Sequence, residues 1–252
     1  MFEIAYLEDT GNGRLRHEEK LVRTECERRG IPVQLFTAKR IHRRQLPLGP
    51  HAFICGDADA MHGAMRQLKI SVPTCHDYPT SLTPYLKRRT WKSDLGSVEE
   101  SILHRGAPAV FAKPAGRIKC FTGRVIEHGD DFYSAANVSR REPVWCSEVV
   151  TWLSEYRAYV IGEEIVGLDF YHGDESVKPC LDTIRAALRD YRAAGEAPSA
   201  YGIDFGVLGS GETALIEANE GYSLGAYRIE ARPYTELLFA RWAELLGKSE
   251  GG

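Results

Sequence analysis

The chain has 252 residues, of which 43% are hydrophobic and 27% charged, a composition typical of a soluble globular protein. Its formal net charge of −3 gives no reason to expect a polyanionic partner such as nucleic acid. No apolar stretch approaches the roughly 20 residues needed to span a membrane, and the first residues lack a signal-peptide pattern. The six cysteines show no CxxC spacing, so we expect free thiols in a cytoplasmic protein rather than a zinc site.

The first third of the chain predicts an α/β unit. Apolar periodicity indicates helices over residues 14–29 and Ala58–Leu68. The alternation of helices with short apolar runs favours a parallel sheet. The glycines after the first run are too few and wrongly spaced for a GxGxxG dinucleotide site. Strands are expected at FEIAYL, IPVQLF, HAFICGD and near Val72.

After Pro79 and Pro84 the pattern changes to α+β, and a basic cluster spans Lys87 to Lys92. Short apolar runs separated by glycine-containing turns predict antiparallel hairpins, one of which turns at Gly162–Glu164. Helices are predicted near Ser97–His104, at 181–194 and at PYTELLFARWAELL. Strands are predicted in APAVFAKPA, GRIKCFTGRVIEHG, VWCSEVV, YRAYVIGEEIVGLDF, YGIDFGVL and TALIEANEG.

Three polar residues interrupt the last predicted hairpin. Glu217 and Asn219 are two positions apart, so on a strand they point to the same face. The turn at Gly209–Gly211 brings Asp204 roughly opposite them. Carboxylate and amide oxygens are the ligands that Mg²⁺ takes, together with substrate phosphates. The hairpin therefore predicts a metal site, with a merely solvated polar face as the alternative.

Two lysines stand in positions suited to anions. Lys113 lies inside the apolar run AVFAKPA, where an unpaired charge is costly. Lys119 lies in a loop between Gly116 and Gly123, and such a loop can close over a polyphosphate. The alternatives are an edge-strand lysine that extends to water and a solvated loop lysine.

A third constellation follows the run VWCSEVV. Glu148 to Val150 can offer backbone groups to an adenine edge, and Glu155 can accept from a ribose or a cation. Glu155 and Arg157 point the same way on a strand. Arg157 can bind a transferring phosphoryl group bidentately. A cross-strand salt bridge is the alternative for Glu155 and Arg157.

In this order, these motifs resemble the ATP-grasp superfamily, especially its carboxylate–amine ligases. The resemblance covers about residues 85–247, is close in SEVVTWLSEYRAYVIGEEIVG and is closest over Tyr201–Tyr227. Four motifs in the correct order make a joint signal that none makes alone. The resemblance is to a short, minimal clade found in bacterial and phage gene clusters.

The resemblance implies a nucleotide site. Lys113 would contact the α-phosphate and adenine. Lys119 and the loop 115–123 would cover the β- and γ-phosphates, with Lys119 also assisting catalysis. Glu155 would hold the ribose or a nearby cation. The adenine hinge would comprise Glu148, Val149 and Val150.

It also implies the catalytic and metal groups. Arg157 would assist phosphoryl transfer, and Asp204, Glu217 and Asn219 would hold Mg²⁺, as two ions. A first nucleotide-binding cation is expected some way before Lys113. Here the candidates are unusually close, and Lys92 is taken for the role, with the alternatives Lys87 and Arg89 left open.

The implied fold is an α/β domain at 1–84, followed by an ATP-grasp fold whose two lobes, 85–147 and 148–247, clasp ATP with antiparallel sheets, and a tail at 248–252. The implied reaction joins a carboxylate to an amine through an acyl phosphate. The alternatives are a kinase acting on a hydroxyl and a non-catalytic ATP-binding protein.

Small-molecule or peptide carboxylates and amines are the expected partners, with no nucleic acid and no membrane, and a homodimer remains open. The loop Glu8–Asn12 is expected to contact the acceptor, because ligands bind at the carboxyl ends of parallel strands. The remaining substrate candidates have a simple tether to the last helix as their alternative. They are Arg89, Tyr222, Ser223, Tyr227 and Arg228.

Overall fold

The computed structural model describes residues 2–74, 77–115, 120–135 and 137–247. Within them the strands are β1 Ile4–Glu8, β2 Val33–Phe36, β3 Ala52–Cys55, β4 Thr90–Asp94, β5 Val110–Pro114, β6 Arg124–Ile126, β7 Pro143–Glu148, β8 Trp152–Ile161, β9 Glu164–Gly173, β10 Ala200–Leu208 and β11 Thr213–Glu220. The α-helices are α1 His17–Arg28, α2 Ala38–His42, α3 Ala58–Leu68, α4 Leu95–Arg105, α5 Leu181–Ala193 and α6 Ala231–Gly247. Short 3₁₀ helices cover Thr80–Tyr85 and Gly129–Ala135.

The first sheet is parallel, as predicted, with strand order β2-β1-β3. The side chain of Asp57 accepts a hydrogen bond from Ala60 N–H and so caps the start of α3. The predicted strand near Val72 is wrong. Lys69 ends α3 in the left-handed conformation, and residues 70–74 then leave the sheet without regular structure.

The core beneath this sheet is completed from the far end of the chain. α6 packs Leu237, Leu238 and Trp242 against the interior of the first sheet. Trp242 Nε1 donates a hydrogen bond to the carbonyl of Ala52, on β3, at 2.9 Å. The first core therefore combines residues from about 2–70 with residues from 222–246.

The other two sheets are antiparallel, with orders β4-β7-β5-β6 and β11-β10-β8-β9. We call them the N-sheet and the C-sheet. The N-sheet packs one face against α4, and the C-sheet packs one face against α5. Their opposite faces carry the charged residues described below. Sequence analysis missed β4, whose residues TWKSD lack a clear apolar alternation.

The predicted hairpins of the C-sheet are confirmed, with turns that follow Ile161 and Leu208. The proposed domain limits at residues 84, 147 and 247 remain a proposal. Within the described ranges, every helix is too short or too polar to cross a bilayer. The cysteines there are all free thiols.

Candidate functional site

Four charged residues form one row across the C-sheet. Asp204 on β10 lies opposite Glu217 on β11 and opposite Arg157 on β8. Arg157 in turn lies opposite Asp169 on β9. The row faces away from the core formed with α5, because neighbouring positions such as Ile203 and Phe205 fill that core.

Arg157 and Asp204 form a buried bidentate ion pair. Arg157 Nε donates to Asp204 Oδ1 at 2.8 Å, and Nη2 donates to Oδ2 at 2.7 Å. Burial raises the pKa of Asp204 to about 6, although Arg157 opposes this shift. Burial alone would lower the pKa of Arg157, but Asp204 outweighs it and raises that pKa. The cross-strand salt bridge considered for Arg157 thus exists with Asp204, while Glu155 accepts from Tyr171 Oη at 2.9 Å.

Asn219 completes the predicted trio. Its Nδ2 donates to Asp204 Oδ2 at 3.3 Å, so its amide oxygen is left for another partner. Asp204, Glu217 and Asn219 therefore lie side by side on one face of the hairpin.

Lys113 links the two antiparallel sheets. It extends from β5, and its Nζ lies 2.5 Å from Glu217 Oε2 and 3.0 Å from Asp77 Oδ2. Nζ also lies 4.5 Å from the centre of the Tyr78 ring. Burial alone would lower the pKa of Lys113, but Glu217 and the groups around it outweigh burial and raise it. Lys113 is buried and paired, so it does not extend to water.

Lys92 shares a row of the N-sheet with Lys113. Trp145 on β7 lies opposite Lys92 on one side and opposite Lys113 on the other. Lys92 is exposed, and its Nζ lies 4.9 Å from the centre of the Trp145 ring. Of the three candidate cations, Lys92 lies on the same face as Lys113, while Arg89 N–H donates to Glu148 Oε2 at 3.0 Å. Lys87 is exposed, with a positive φ of 52°.

The predicted hinge lies between the two sheets. Glu148 is the last residue of β7, and the chain then runs without regular structure to β8. Val149 is exposed and Val150 is half-buried. Lys119 and the adjoining part of the predicted phosphate loop, residues 116–119, lie outside the described residues.

The segment after β11 lies on the charged face of the C-sheet. Gly202 makes room for it, because a Cβ there would come within 2.5 Å of Leu224. The carbonyl of Gly225 accepts from Arg157 Nη1 and from Tyr159 Oη, each at 3.2 Å. Tyr227 stacks on Tyr171 with ring centres 4.7 Å apart.

The other substrate candidates are spread along this segment. Tyr222 is buried, and its hydroxyl lies 3.0 Å from His62 Nε2. Ser223 Oγ donates to the Gly56 carbonyl at 3.4 Å. Arg228 is exposed and pairs with Glu175 at 2.6 Å. The segment thus tethers the last helix and also lines a cavity.

That cavity, of about 320 Å³, lies at the carboxyl edge of the parallel sheet. Its polar lining includes Arg16, Glu18 and Glu19 from α1, Asp57 after β3, and the Ser223–Gly225 segment. Burial raises the pKa of Glu19. Glu19 Oε1 accepts from Arg16 at 3.1 Å. Its Oε2 is buried and has no hydrogen-bond partner among the described residues.

The donor set on the hairpin fits a magnesium ion that keeps phosphate or water ligands. Two carboxylates and one amide are hard oxygen donors, and Mg²⁺ uses one or two carboxylates plus substrate phosphates. Within the described residues there is no cluster of three or more His, Cys, Asp or Glu side chains that could bind a metal ion by itself. The site suits a metal that arrives with a nucleotide.

Sequence reasoning missed several residues of the site. Asp77, Tyr78 and Arg88 come from a segment whose path the hydrophobic pattern does not indicate. Asp169 lies in a predicted strand and could have been found by extending the row from Arg157 to the next strand.

The structure is similar to solved ATP-grasp ligases. D-alanine–D-alanine ligase from Bacillus anthracis complexed with ATP is 12% identical, with 99% of each chain covered and a TM-score of 0.59. Macrocyclase MdnC bound with precursor peptide MdnA, from Microcystis aeruginosa MRC, is 14% identical, with 97% of this chain and 100% of that chain covered and a TM-score of 0.52. ATP-grasp ligase PsnB with its minimal precursor is 14% identical, with coverages of 96% and 100% and a TM-score of 0.50.

At these identities the likeness shows a shared fold, which confirms the predicted α/β unit followed by an ATP-grasp fold. A search of curated proteins found no match. A family of ATP-grasp domains, the second family of its clade, matches residues 85–237. That range is more than half of the chain, and the chain therefore belongs to this ATP-grasp family.

Proposed function

We propose that the chain is an ATP- and Mg²⁺-dependent ligase that joins a carboxylate to an amine and releases ADP and phosphate. The observation that carries the proposal is the cluster Lys113–Glu217–Asp204–Arg157, which lies between the N-sheet and the C-sheet. It combines two buried or half-buried carboxylates with two cations, and the Asn219 amide lies beside it. This chemistry suits a metal-bound polyphosphate.

In the proposed reaction a carboxylate oxygen of the substrate attacks the γ-phosphorus of ATP. The bond to the bridging oxygen breaks, and ADP leaves. The amine then attacks the acyl carbon, the carbon–oxygen bond to phosphate breaks, and an amide, phosphate and a proton result. No enzyme nucleophile is required, so the residues act by position and charge.

Each residue of the cluster has a distinct proposed task. Lys113 binds the nucleotide phosphates, and Lys92 is proposed as the second nucleotide cation. Arg157 stabilises the charge that develops on the transferring phosphoryl group. Asp204, Glu217 and Asn219 hold Mg²⁺, which neutralises phosphate charge when bound. The use of two ions remains part of the proposal.

The cavity beside α1 is the proposed site for a substrate ammonium group. Glu18, Glu19 and Asp57 line it against one guanidinium, that of Arg16. The unpartnered oxygen of Glu19 is a costly feature for a buried group. An ammonium would satisfy it. The cavity also includes Gly225, whose carbonyl accepts from Arg157, so its occupant lies close to the proposed chemistry.

A peptide is the proposed substrate class. PsnB and MdnC were solved with precursor peptides. The cavity offers room for an amino-acid-sized end, while the segment 222–228 leaves Tyr227 and Arg228 exposed at its border.

The test is a screen for ADP release over amino acids and peptides, with mass detection of products. A substrate whose carboxylate carries ¹⁸O should transfer one labelled oxygen to the released phosphate. A phosphorylated alcohol would instead identify a kinase, and nucleotide binding without turnover with any substrate would identify a non-catalytic binder. Either result would refute the ligase.

Glu217→Gln should abolish turnover, because it removes a charged metal ligand. Glu212→Gln is the matched control, since Glu212 is exposed in the turn before β11. Activity that survives Glu217→Gln would show that the metal site has been misplaced.

A further inference from the structure

The β10–β11 hairpin contains a β-bulge beside the proposed metal site. Asp204 pairs with Glu217, but the next residue, Phe205, pairs with Leu215. Ile216 is therefore the extra residue on β11. Without it, Asp204 would pair with Ile216, and Glu217 would point to the opposite face, into the core. The bulge is what places the two carboxylates side by side.

Arg88 holds the backbone of this bulge. Its Nη1 donates to the carbonyl of Leu215 at 2.6 Å, and its Nη2 donates to the carbonyl of Ile216 at 3.0 Å. Nη1 also donates to the Leu86 carbonyl at 3.1 Å. The guanidinium lies over the Trp152 ring, 5.2 Å from its centre. These contacts fix it against the backbone of β11.

The environment of Arg88 is unusual for a buried charge. Burial lowers the pKa of Arg88, and the neighbouring Tyr78 and Glu217 offset this only in part. Within the described residues, no salt bridge joins it to a carboxylate, and its guanidinium donates to main-chain carbonyls. Such a group is costly for stability alone. A lysine has a single ammonium and cannot reproduce a planar fork that spans two carbonyls.

We propose that Arg88 is a positioning residue that holds the bulge at Ile216 and thereby keeps Glu217 opposite Asp204 for binding Mg²⁺. This inference rests on the proposed function, since it concerns the same metal site. Arg88 contacts neither the metal nor the reacting atoms in this scheme. It acts through the main chain of β11.

The first test compares Arg88→Lys with Arg241→Lys. Arg241 is also a buried guanidinium that anchors β11, but it binds the side chains of Glu220 and Glu244. Mn²⁺ binding in the presence of AMPPNP is followed by electron paramagnetic resonance, and unfolding by thermal melting. Arg88→Lys should weaken Mn²⁺ binding about 10- to 100-fold, as outer partners of metal ligands do. Arg241→Lys should lower the melting temperature and leave Mn²⁺ affinity within about twofold of wild type, the usual effect of a distant site.

A double-mutant cycle separates positioning from general loss of structure. If Arg88 acts through Glu217, then Arg88→Lys should add little to the loss caused by Glu217→Gln. Additive losses would overturn the inference. So would equal loss of Mn²⁺ affinity in the Arg88→Lys and Arg241→Lys variants, which would mean that β11 is merely destabilised.

Deleting Ile216 tests the same idea without changing Arg88. The deletion should restore a regular ladder, shift Glu217 out of the row with Asp204 and abolish Mn²⁺ binding in a protein that still melts cooperatively. Retained Mn²⁺ affinity in this variant would overturn the inference, and so would retained affinity in a folded Arg88→Met variant. If wild type bound neither AMPPNP nor Mn²⁺, the proposed function would fail. If wild type bound both and Arg88→Lys bound them equally well, this inference alone would fail.

Discussion

Lys113 and Glu217 connect the two antiparallel sheets, with 2.5 Å between Nζ and Oε2. Lys113 belongs to β5 of the N-sheet and Glu217 to β11 of the C-sheet. The proposed nucleotide lysine is therefore in direct contact with a proposed metal ligand. Asp77 adds a second carboxylate on the same ammonium. The buried charge of Lys113 is satisfied by both sheets' surroundings, and stability and site geometry depend on the same contacts.

Lys113→Met should lower the free energy of unfolding by roughly 2–3 kcal/mol, because Asp77 and Glu217 lose their shared cation. The estimate is below that for a fully buried pair since Glu217 is partly exposed. Urea denaturation followed by circular dichroism measures it. Lys92→Met is the matched control on the same sheet row, and should change stability by less than about 0.5 kcal/mol. A stability loss as large in the Lys92 variant would contradict the role of pairing.

Arg157→Lys should lower kcat for ADP release about 10²- to 10³-fold, the usual effect of removing a preorganised donor. A lysine keeps the charge but loses the bidentate contact with Asp204. Steady-state kinetics with saturating ATP is the measurement. Arg192→Lys, at an exposed residue near the β8–β9 turn, should retain full activity. An unchanged kcat in Arg157→Lys would remove Arg157 from the chemistry.

Glu19→Gln should raise the KM for the amine-bearing substrate about tenfold or more and change kcat little, because it removes charge from the cavity while keeping side-chain volume. N-acetylated substrates should be poor with the wild-type protein, since they lack the ammonium. Glu27→Gln is the control, because Glu27 lies exposed on the same helix and pairs with Arg23. Equal use of acetylated and free substrates would rule out this assignment.

Glu244 should make stability depend on pH. Burial alone would raise the pKa of Glu244, but hydrogen bonds from Ser199 and the Arg241 guanidinium outweigh it and lower the pKa to about 2. A carboxylate with a lowered pKa stabilises the fold above its unfolded value near 4.5, and that contribution is lost as pH falls toward 2. Glu244→Gln should therefore cost roughly 1–2 kcal/mol at pH 7, after allowance for solvent screening.

Chemical denaturation of wild type and Glu244→Gln across this pH range gives the measurement. The difference between the two proteins should shrink steadily below pH 4.5, the unfolded value of this carboxyl. A difference that stays constant between about pH 7 and pH 3 would show that Glu244 contributes through packing rather than charge.

The strands that bear the site could be predicted because their apolar runs are long and bounded by glycine turns. YGIDFGVL and TALIEANEG lie at the observed strands β10 and β11. The prediction near Val72 failed because a left-handed Lys69 redirects the chain after α3, and a single apolar residue does not specify a strand. β4 was missed because a short, mostly polar strand is held by its neighbour β7 rather than by its own pattern.

The pairing of the site residues was less accessible, because it depends on bulges. Counting back evenly from the turn after Ile161 pairs Arg157 with Leu168. The irregularity between Tyr159 and Val160 shifts the register by one, so Arg157 meets Asp169. The contact of Lys113 with Glu217 joins residues 104 positions apart. Such a contact follows from how the sheets pack, and one sequence does not encode it as a local pattern.

The docking of α6 on the first sheet has a consequence for synthesis of the chain on the ribosome. β1, β2 and β3 emerge early, but Leu237, Leu238 and Trp242, which cover their sheet, emerge only after both antiparallel sheets have been translated. The first unit must therefore wait with an exposed apolar face, a state prone to aggregation. A fragment that stops before residue 231 should bind chaperones and fail to accumulate in soluble form.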